Sequence, residues 1–567
     1  MHILIVFVQS NVQISMEKSF IGLIEESIKE NWDRKALTDY RGTTLQYKDL
    51  ARKIEKIHLC MKEIGIKPGD KIALCGRNSA HWCVGFLSII TYGAVAVPIL
   101  HEFKADNIHN IVNHSESRML FVGDQVWENL NEELMPNIEG VISLADFSIL
   151  VSRSEQLVYT REHLNEMFGS LYPCRFLPEM IQWRRENSEE LAIINYTSGT
   201  TGYSKGVMLP YRSLLSNVLY CREMIGIKAG DRIVSMLPLG HVFGMTFDFL
   251  YGITSGAHLW FLTRMPSPKI IAESFAEIKP RIISSVPLVI EKIFKKNILP
   301  RVDHGLERIL FQLPHINNLL KVKIRNKAME VFGNNFMEII IGGAPFNAEV
   351  EAFMRKIEFP YTAAYGMTEC GPIITHVRYD QMRPRTCGKA ASRMEVKVLS
   401  ADPQNIPGEL VCRGENLMMG YYKDPESTQK VIDSEGWLHT GDMAVVDNEG
   451  YFYIKGRCKN MLLTASGQNI YPEEIEAKLN NLPYISESVV ILHNDKLLAL
   501  VYPDLDDAHA HNLSPNDLYN LIDGERQELN KELPVYSQIA RVKLWPEEFE
   551  KTAKKSIKRY LYQNIEA

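Results

Sequence analysis

Between residues 44 and 100 the spacing of apolar positions changes twice. Leu50, Ile54, Ile57, Met61 and Ile64 recur every three to four residues, which predicts an amphipathic helix with one buried stripe. Gly65 can end that helix in the left-handed region, and Lys67-Pro68-Gly69-Asp70 reads as a turn. Lys71–Cys75 is then a short buried strand, followed by a second helix and a strand over Ala94–Val97. The same grammar returns downstream. Ala192–Tyr196, Arg232–Met236 and Glu338–Ile341 read as buried strands, and Ser267–Ile278 and Leu288–Lys296 as helices. Strands alternating with helices imply an α/β architecture with parallel-rich sheets flanked by helices on both faces.

The texture shifts near Arg385. Val396–Leu399, Gly408–Arg413 and Ala444–Lys455 read as short strands with turn signals such as Asp447-Asn448-Glu449-Gly450, so residues 385–455 are expected to form a small β subdomain. Residues 457–567 read as a small α+β domain after a large one over 16–456. Within the small domain, Asp504–Pro515 is polar and His-rich, and is read as a solvated loop in preference to a metal site at His509 and His511. Cys83–Leu100 lacks charge and approaches the length of a membrane span. Ser88, Thr91, Tyr92, Gly93 and Pro98 divide it instead into a helix, a glycine turn and a buried strand. Met1–Val8 is apolar but short and has no Lys or Arg before it, which makes a poor signal peptide. Met16 opens a more helix-like stretch, so residues 1–15 are expected to be an upstream extension of the reading frame or a loose arm.

Composition narrows this picture. A chain of 567 residues exceeds what one hydrophobic core supports, so at least two domains are expected. A net charge of −6 lacks the basic surplus of a nucleic-acid binder. The nine cysteines are scattered, odd in number and without a CxxC pair, which suits reduced thiols in the cytoplasm. Peripheral contact with a membrane stays open, and the sequence does not fix the oligomeric state.

The strongest chemical signal is Tyr196–Val207, YTSGTTGYSKGV. A strand runs into Thr197, Ser198, Gly199, Thr200, Thr201 and Gly202, and then Lys205 and Gly206. Glycines let backbone N–H groups face a phosphate, hydroxyls add donors, and lysine adds a point charge. It is not a Walker A loop, because Lys205 stands three residues after Gly202. No G-x-S-x-G and no H-E-x-x-H occurs, which removes support for the corresponding hydrolases.

This segment resembles the phosphate-binding loop of the adenylate-forming superfamily, which includes acyl-CoA synthetases, firefly-type luciferases and peptide-synthetase adenylation domains. The superfamily's other motifs follow in order: Ile340-Ile341-Gly342-Gly343-Ala344-Pro345, Tyr365-Gly366-Met367-Thr368-Glu369, Trp437-Leu438-His439-Thr440-Gly441-Asp442, Tyr451 to Arg457 (YFYIKGR), and Ser466-Gly467-Gln468-Asn469-Ile470-Tyr471-Pro472-Glu473. The match extends from about residue 20 to 562. It implies a large domain followed by a small mobile one, with ATP, coenzyme A and Mg²⁺ as ligands. It implies that Gly343, Ala344 and Pro345 border the adenine and that Tyr365 stacks on it. It puts Gly366 and Met367 at the nucleotide, Thr368 at phosphate, and Thr200 and Glu369 at Mg²⁺. Asp442 and Arg457 fall at the ribose, with Tyr453 in the same run. Lys459 falls at the hinge, and Ser466, Gly467 and Gln468 on the loop that faces the site during thioester formation. Leu237-Pro238-Leu239-Gly240-His241 matches a motif near the acid pocket, where His241 either lines the pocket or packs as a buried side chain.

Two departures stand out. Ser204 replaces the proline usual before the lysine of the phosphate loop. More seriously, the family's terminal K-T-x-x-G-K-I-x-R reads Lys551-Thr552-Ala553-Lys554-Lys555-Ser556-Ile557-Lys558-Arg559 here, so that Ser556 takes the place of the adenylation lysine. That lysine neutralises charge developing at the α-phosphate, which serine cannot do. Lys555, one residue away, is the expected substitute, with Lys558 the alternative. The substrate is expected to be a long-chain fatty acid. Pro280 to Lys292, PRIISSVPLVIEK, resembles a stretch of long-chain acyl-CoA synthetases, and Phe243–Leu262 is apolar enough either to line a tail pocket or to fill a core. Two rivals remain: transfer to an acyl carrier protein, and a nucleotide- and fatty-acid-binding pseudoenzyme, which Ser556 permits.

Overall fold

The computed structural model describes residues 19–197, 204–263, 268–298, 317–463, 469–494, 496–551, 557–563 and 565. The proposed arm over 1–15 lies outside them. The amphipathic pattern after residue 46 forms the helix Tyr47–Glu63, with Leu50, Ile54, Ile57 and Met61 buried. Cys83–Leu100 divides at its glycine, into the helix Ala80–Tyr92, Gly93 in the left-handed region, and the strand Val95–Ile99, which contains Pro98. Among the described residues no helix is long and apolar enough to cross a membrane.

Two large sheets form the N-terminal part. The first runs, edge to edge, Gly420–Tyr421, Lys205–Pro210, Leu191–Thr197, Val95–Ile99, Lys71–Cys75, Met119–Val122, Gly140–Ser143 and Ile149–Ser152. Its centre is parallel, and both edges carry antiparallel strands. The second runs Tyr361–Ala363, Glu338–Ile341, Ile282–Ser285, Arg232–Ser235, His258–Phe261, Lys35–Asp39 and Thr44–Gln46. Between them packs a shared apolar core. Trp82 stacks on Phe86 with ring centroids 5.4 Å apart, and Phe249, from the continuous helical stretch 242–254, meets Phe86 edge-on at 5.6 Å. Each such fully buried ring contributes on the order of 2–3 kcal/mol of transfer free energy, which ties the sheets into one body. Phe243, Met245, Phe247, Phe249 and Leu250 all lie in this core, so of the two readings of this apolar run, pocket lining or core filling, these residues take the second.

A four-stranded antiparallel sheet follows: Met394–Leu399, Gly408–Gly414, Leu438–Val446 and Phe452–Arg457. The expected turn at Asp447–Gly450 divides Ala444–Lys455 between the last two of these strands. Asp447 folds the chain back by accepting the N–H groups of Glu449 and Tyr451 at 2.9 Å each. The C-terminal part is a three-stranded sheet, Ile485–His493, Lys496–Pro503 and Ile539–Leu544, with helices Pro472–Leu479 and Pro515–Glu532. The polar loop expected at Asp504–Pro515 contains a helix, Leu505–Ala510, because the Asp504 side chain caps it by accepting Asp507 N–H at 3.1 Å. His509 and His511 are exposed, and among the described residues no His, Cys, Asp or Glu cluster could hold a metal ion.

Candidate active site

Leu191–Thr197 and Lys205–Pro210 form a hairpin with Thr197 opposite Lys205. Ser198, Gly199, Thr200, Thr201 and Gly202 lie outside the described residues. At the base of the hairpin, the Lys205 ammonium sits over the ring of Tyr421, 4.7 Å from its centroid. The Tyr421 hydroxyl donates to Glu369 Oε1 at 2.9 Å. A cation over an aromatic face is held by the ring quadrupole, and the hydroxyl at the ring edge fixes the carboxylate. Burial beside Glu369 pushes the Tyr421 phenol well above its ordinary value, so it remains a donor. The sequence reading missed Tyr421. Its only local sign is an aromatic after Gly420, and its role arises when Gly420–Tyr421 pairs with Val207 and Met208 of the hairpin.

Tyr365 and Gly366 begin the turn that carries Thr368 and Glu369. Gly366 pairs so closely with the strand Ile373–His376 that a Cβ would lie 2.0 Å from the Pro372 carbonyl oxygen, which excludes any side chain. Asn217, fully buried, clamps the turn: its Nδ2 donates to Cys370 O at 3.1 Å and its Oδ1 accepts Ile373 N–H at 3.0 Å. Thr368 is buried and Glu369 half-buried.

The ribose motif closes from another direction. Asp442 and Arg457 are register partners on adjacent strands. Asp442 Oδ2 accepts the Tyr365 hydroxyl at 2.6 Å, and Oδ1 lies 3.0 Å from Arg457 Nε. Burial pushes the Asp442 carboxyl up, while Arg457 and Tyr365 pull it back. Tyr453 is not brought to this carboxylate. Its hydroxyl donates to Asp447 at 3.3 Å, at the far end of the hairpin.

Ile282–Ser285, Glu338–Ile341 and Tyr361–Ala363 run parallel and end in register, so that Gly343, Ala344 and Pro345 emerge exposed at the same edge as Tyr365. His241 caps the helical stretch 242–254, and its Nδ1 accepts Phe243 N–H at 3.2 Å. That bond makes Nδ1 the acceptor and leaves the proton of the neutral ring on Nε2.

Lys459 lies in a short turn, Cys458–Asn460, after the strand that bears Arg457. Burial and Arg457 together pull its ammonium below the ordinary lysine range. Ser466, Gly467, Gln468, Lys555 and Ser556 lie outside the described residues. An antiparallel bridge between Lys551 and Ile557 brackets the terminal loop. Lys551 pairs with Glu487 at 2.7 Å, Lys558 pairs with Glu550, and the half-buried Arg559 pairs with Glu476. Among the described residues, Lys551, Lys558 and Arg559 are thus engaged inside the C-terminal part.

Two parallel-rich sheets, a hairpin that presents a lysine, and a carboxylate–arginine pair beside a small α+β unit define a nucleotide-binding α/β enzyme fold. The AMP-binding enzyme profile matches residues 24–422, and the AMP-binding enzyme C-terminal domain matches 459–564. The chain belongs to this family, the adenylate-forming enzymes. It is 28% identical over 512 residues to the long-chain-fatty-acid–CoA ligase ACSBG1 of Rattus norvegicus, covering 83% of this chain and 67% of that one. It is 26% identical over 499 residues to the putative acyl-CoA synthetase YngI of Bacillus subtilis, covering 83% and 84%. The fold matches the anthranilate CoA ligase AuaEII in complex with anthranoyl-AMP, with a TM-score of 0.77 at 19% identity over 97% of both chains. It also matches ATP-bound MatB from Rhodopseudomonas palustris, with a TM-score of 0.73 at 20% identity over 96% and 98%.

Proposed function

We propose that this protein activates a long-chain fatty acid in two steps. A carboxylate oxygen attacks the α-phosphorus of ATP, and pyrophosphate leaves. The thiol sulfur of coenzyme A then attacks the acyl carbon, the thiol proton passes to solvent, and AMP leaves. The observation that carries this reading is the contact of Lys205 with Tyr421 and of Tyr421 with Glu369. A phosphate-facing cation and a hard oxygen ligand are thereby held by one side chain, the first over its ring and the second at its hydroxyl. Lys205 neutralises phosphate charge as the phosphorus is attacked. Glu369 has the chemistry to hold the nucleotide's Mg²⁺, which one carboxylate and substrate phosphates commonly share and which would offset charge on the leaving pyrophosphate. Asp442 accepts from the ribose hydroxyls, and Tyr365 offers its ring to the base. Lys459 and the segment Ser466–Gln468 serve the second step, when the C-terminal part turns toward the adenylate. The acid class rests on the relatives named as long-chain-fatty-acid–CoA ligases and on PRIISSVPLVIEK.

The test is a panel of acids from acetate to stearate with ATP, Mg²⁺ and coenzyme A, followed by pyrophosphate release and mass spectrometry of the thioester. Acyl-CoA from the longer acids is expected. Ser556 favours one second reading, a binding protein that does not adenylate. Fatty-acid-dependent exchange of labelled pyrophosphate into ATP would exclude it.

A further inference from the structure

In the second sheet the chain leaves Arg232–Ser235 for His258–Phe261 on one side, then crosses back to Ile282–Ser285 on the other and continues to Glu338–Ile341. Strand order therefore reverses between Arg232–Ser235 and Ile282–Ser285. Right-handed connections put helices on opposite faces on either side of such a reversal, and a crevice opens at the carboxyl ends of the strands. The opening shows in the ladder. Paired residues between these two strands are confined to Ile233 and Ile282, whereas Ile282–Ser285 stays paired with Glu338–Ile341 as far as Ser285 and Ile341.

Asp248 occupies this fork. It comes from Met245–Leu250, a π-helical segment, a form of wide turn found often at functional sites. Around its carboxyl gather the hydroxyls of Ser284 and Ser235 and the N–H groups of Leu237 and Met236. Asp248 is completely buried, yet neither of its oxygens, nor Ser284 Oγ, makes a hydrogen bond of normal geometry to another group. The donors surround the carboxyl without being aligned on it. Burial pushes the carboxyl up to about 7 against the pull of those donors.

The turn 237–241 rises from this fork. Asn78 Oδ1 accepts Leu239 N–H at 2.9 Å, and Asn78 Nδ2 donates to Leu237 O at 2.7 Å. Asn195, on the hairpin strand of the first sheet, donates to Gly240 O at 2.8 Å. Gly240 lies so near the first sheet that a Cβ would stand 3.2 Å from Ile99 backbone atoms. The turn is thus fastened to the first sheet at one end and to the Asp248 fork at the other, and it delivers His241.

We propose that Asp248 is a positioning residue for the acid substrate: as a buried acceptor placed among the amides of Met236 and Leu237 and the hydroxyl of Ser284, it attracts the turn 237–241 toward the end of Ile282–Ser285 and sets the mouth through which the acyl chain enters. This rests on the reading that the protein activates a carboxylic acid. The groups assigned to the nucleotide, Tyr365, Asp442 and Arg457, are held by bonds of their own, so the effect falls on the acid.

Steady-state kinetics with dodecanoic acid and calorimetry with AMP and with dodecanoyl sulfamoyl adenosine test this. Asp248→Ala should raise the KM for dodecanoate about tenfold, with kcat within about threefold and the AMP affinity within about twofold. Asp248→Asn should return KM to within about threefold, since its amide oxygen keeps an acceptor beside the turn amides and its amide nitrogen can donate to Ser284 Oγ, whose hydroxyl faces the carboxylate in the unaltered protein. Should Asp248→Ala fail to fold, Ser284→Ala reads the same fork from its other wall, with a rise in KM of about threefold. Unchanged KM in every variant, or AMP affinity falling in parallel with acid affinity, would overturn the proposal. If the unaltered protein activates no acid, the reading under Proposed function fails by itself. The analogue then decides on Asp248: equal binding to the unaltered protein and Asp248→Ala overturns the positioning role, and selective loss in the variant supports it.

Discussion

The hydroxyl of Tyr365 donates to Asp442 at 2.6 Å, and this bond joins the turn bearing Glu369 to the strand pair bearing Arg457. The carboxylate is shared between a neutral donor and a cation, and it is almost fully buried. Hydrogen bonds to a charged group are worth about 1.5–3 kcal/mol, so removing the carboxylate also strands the groups that faced it. Asp442→Ala is expected to weaken AMP binding at least about tenfold by calorimetry, and Tyr365→Phe about threefold. Equal affinity in Asp442→Ala and the unaltered protein would remove Asp442 from the ribose site.

Tyr421 divides into two testable parts. Tyr421→Phe keeps the ring beneath Lys205 and loses only the bond to Glu369, whereas Tyr421→Leu loses both. A cation–π contact is worth about 0.5–2 kcal/mol. Tyr421→Phe should raise the Mg²⁺ concentration needed for half-maximal adenylation and weaken Mn²⁺ binding in the ATP complex, read by electron paramagnetic resonance. Tyr421→Leu should in addition lower ATP affinity about three- to tenfold. Identical behaviour of the two variants would show that the hydroxyl does nothing of its own.

The terminal cations are expected to be unequal. Lys558 is held by Glu550 at an exposed site, where such pairs contribute little, and Lys558→Ala should adenylate at close to the unaltered rate. Lys555→Ala should lose about tenfold or more, and Ser556→Lys should gain, because each changes the positive charge available to the α-phosphate. With the usual lysine position occupied by Ser556, Lys205→Ala should cost about a hundredfold in pyrophosphate exchange. A mild effect of Lys205→Ala would mean that another cation serves the phosphate.

Glu338 supplies a pH test of stability. It is 2% exposed, accepts Tyr379 N–H at 3.1 Å, and burial pushes its carboxyl up to about 7 from an ordinary 4.5. Between those values the folded state holds a proton that the unfolded state releases, so stability falls as pH rises from about 4.5 to 7. Below that window the contribution is fully present. Glu338→Gln keeps the acceptor for Tyr379 and removes the titration. Its Tm should exceed that of the unaltered protein by about 2 °C or more at pH 8, and the difference should shrink or reverse at pH 5. A difference independent of pH would show that Glu338 does not titrate in this range.

Much of this was legible along the chain, and what was not shares one cause. Periodicity located the helix Tyr47–Glu63 and the strand Glu338–Ile341, because burial of one face imposes a repeat that sequence carries directly. It failed at Asp504–Pro515, where a cap makes a helix from residues that usually signal a loop. Tyr421 gave only the local signal of an aromatic after Gly420, and Asn217 and Asp248 gave none. Each acts on groups distant in sequence: Glu369, Cys370 and Ile373, and the Met236–Leu237 amides, respectively.

The sequence alone determined the alternation of strands and helices, the ordered motifs from Tyr196 to Arg457 and the substitution at Ser556, because each is written in residues close together on the chain. Only the tertiary structure decided which groups meet: Lys205 over Tyr421, Tyr365 on Asp442, and Asp248 in the fork where the second sheet reverses. The physical reason is that sheet order and strand register bring together groups that no local repeat relates, and burial then sets how strongly each carboxylate, phenol and ammonium acts on its neighbour.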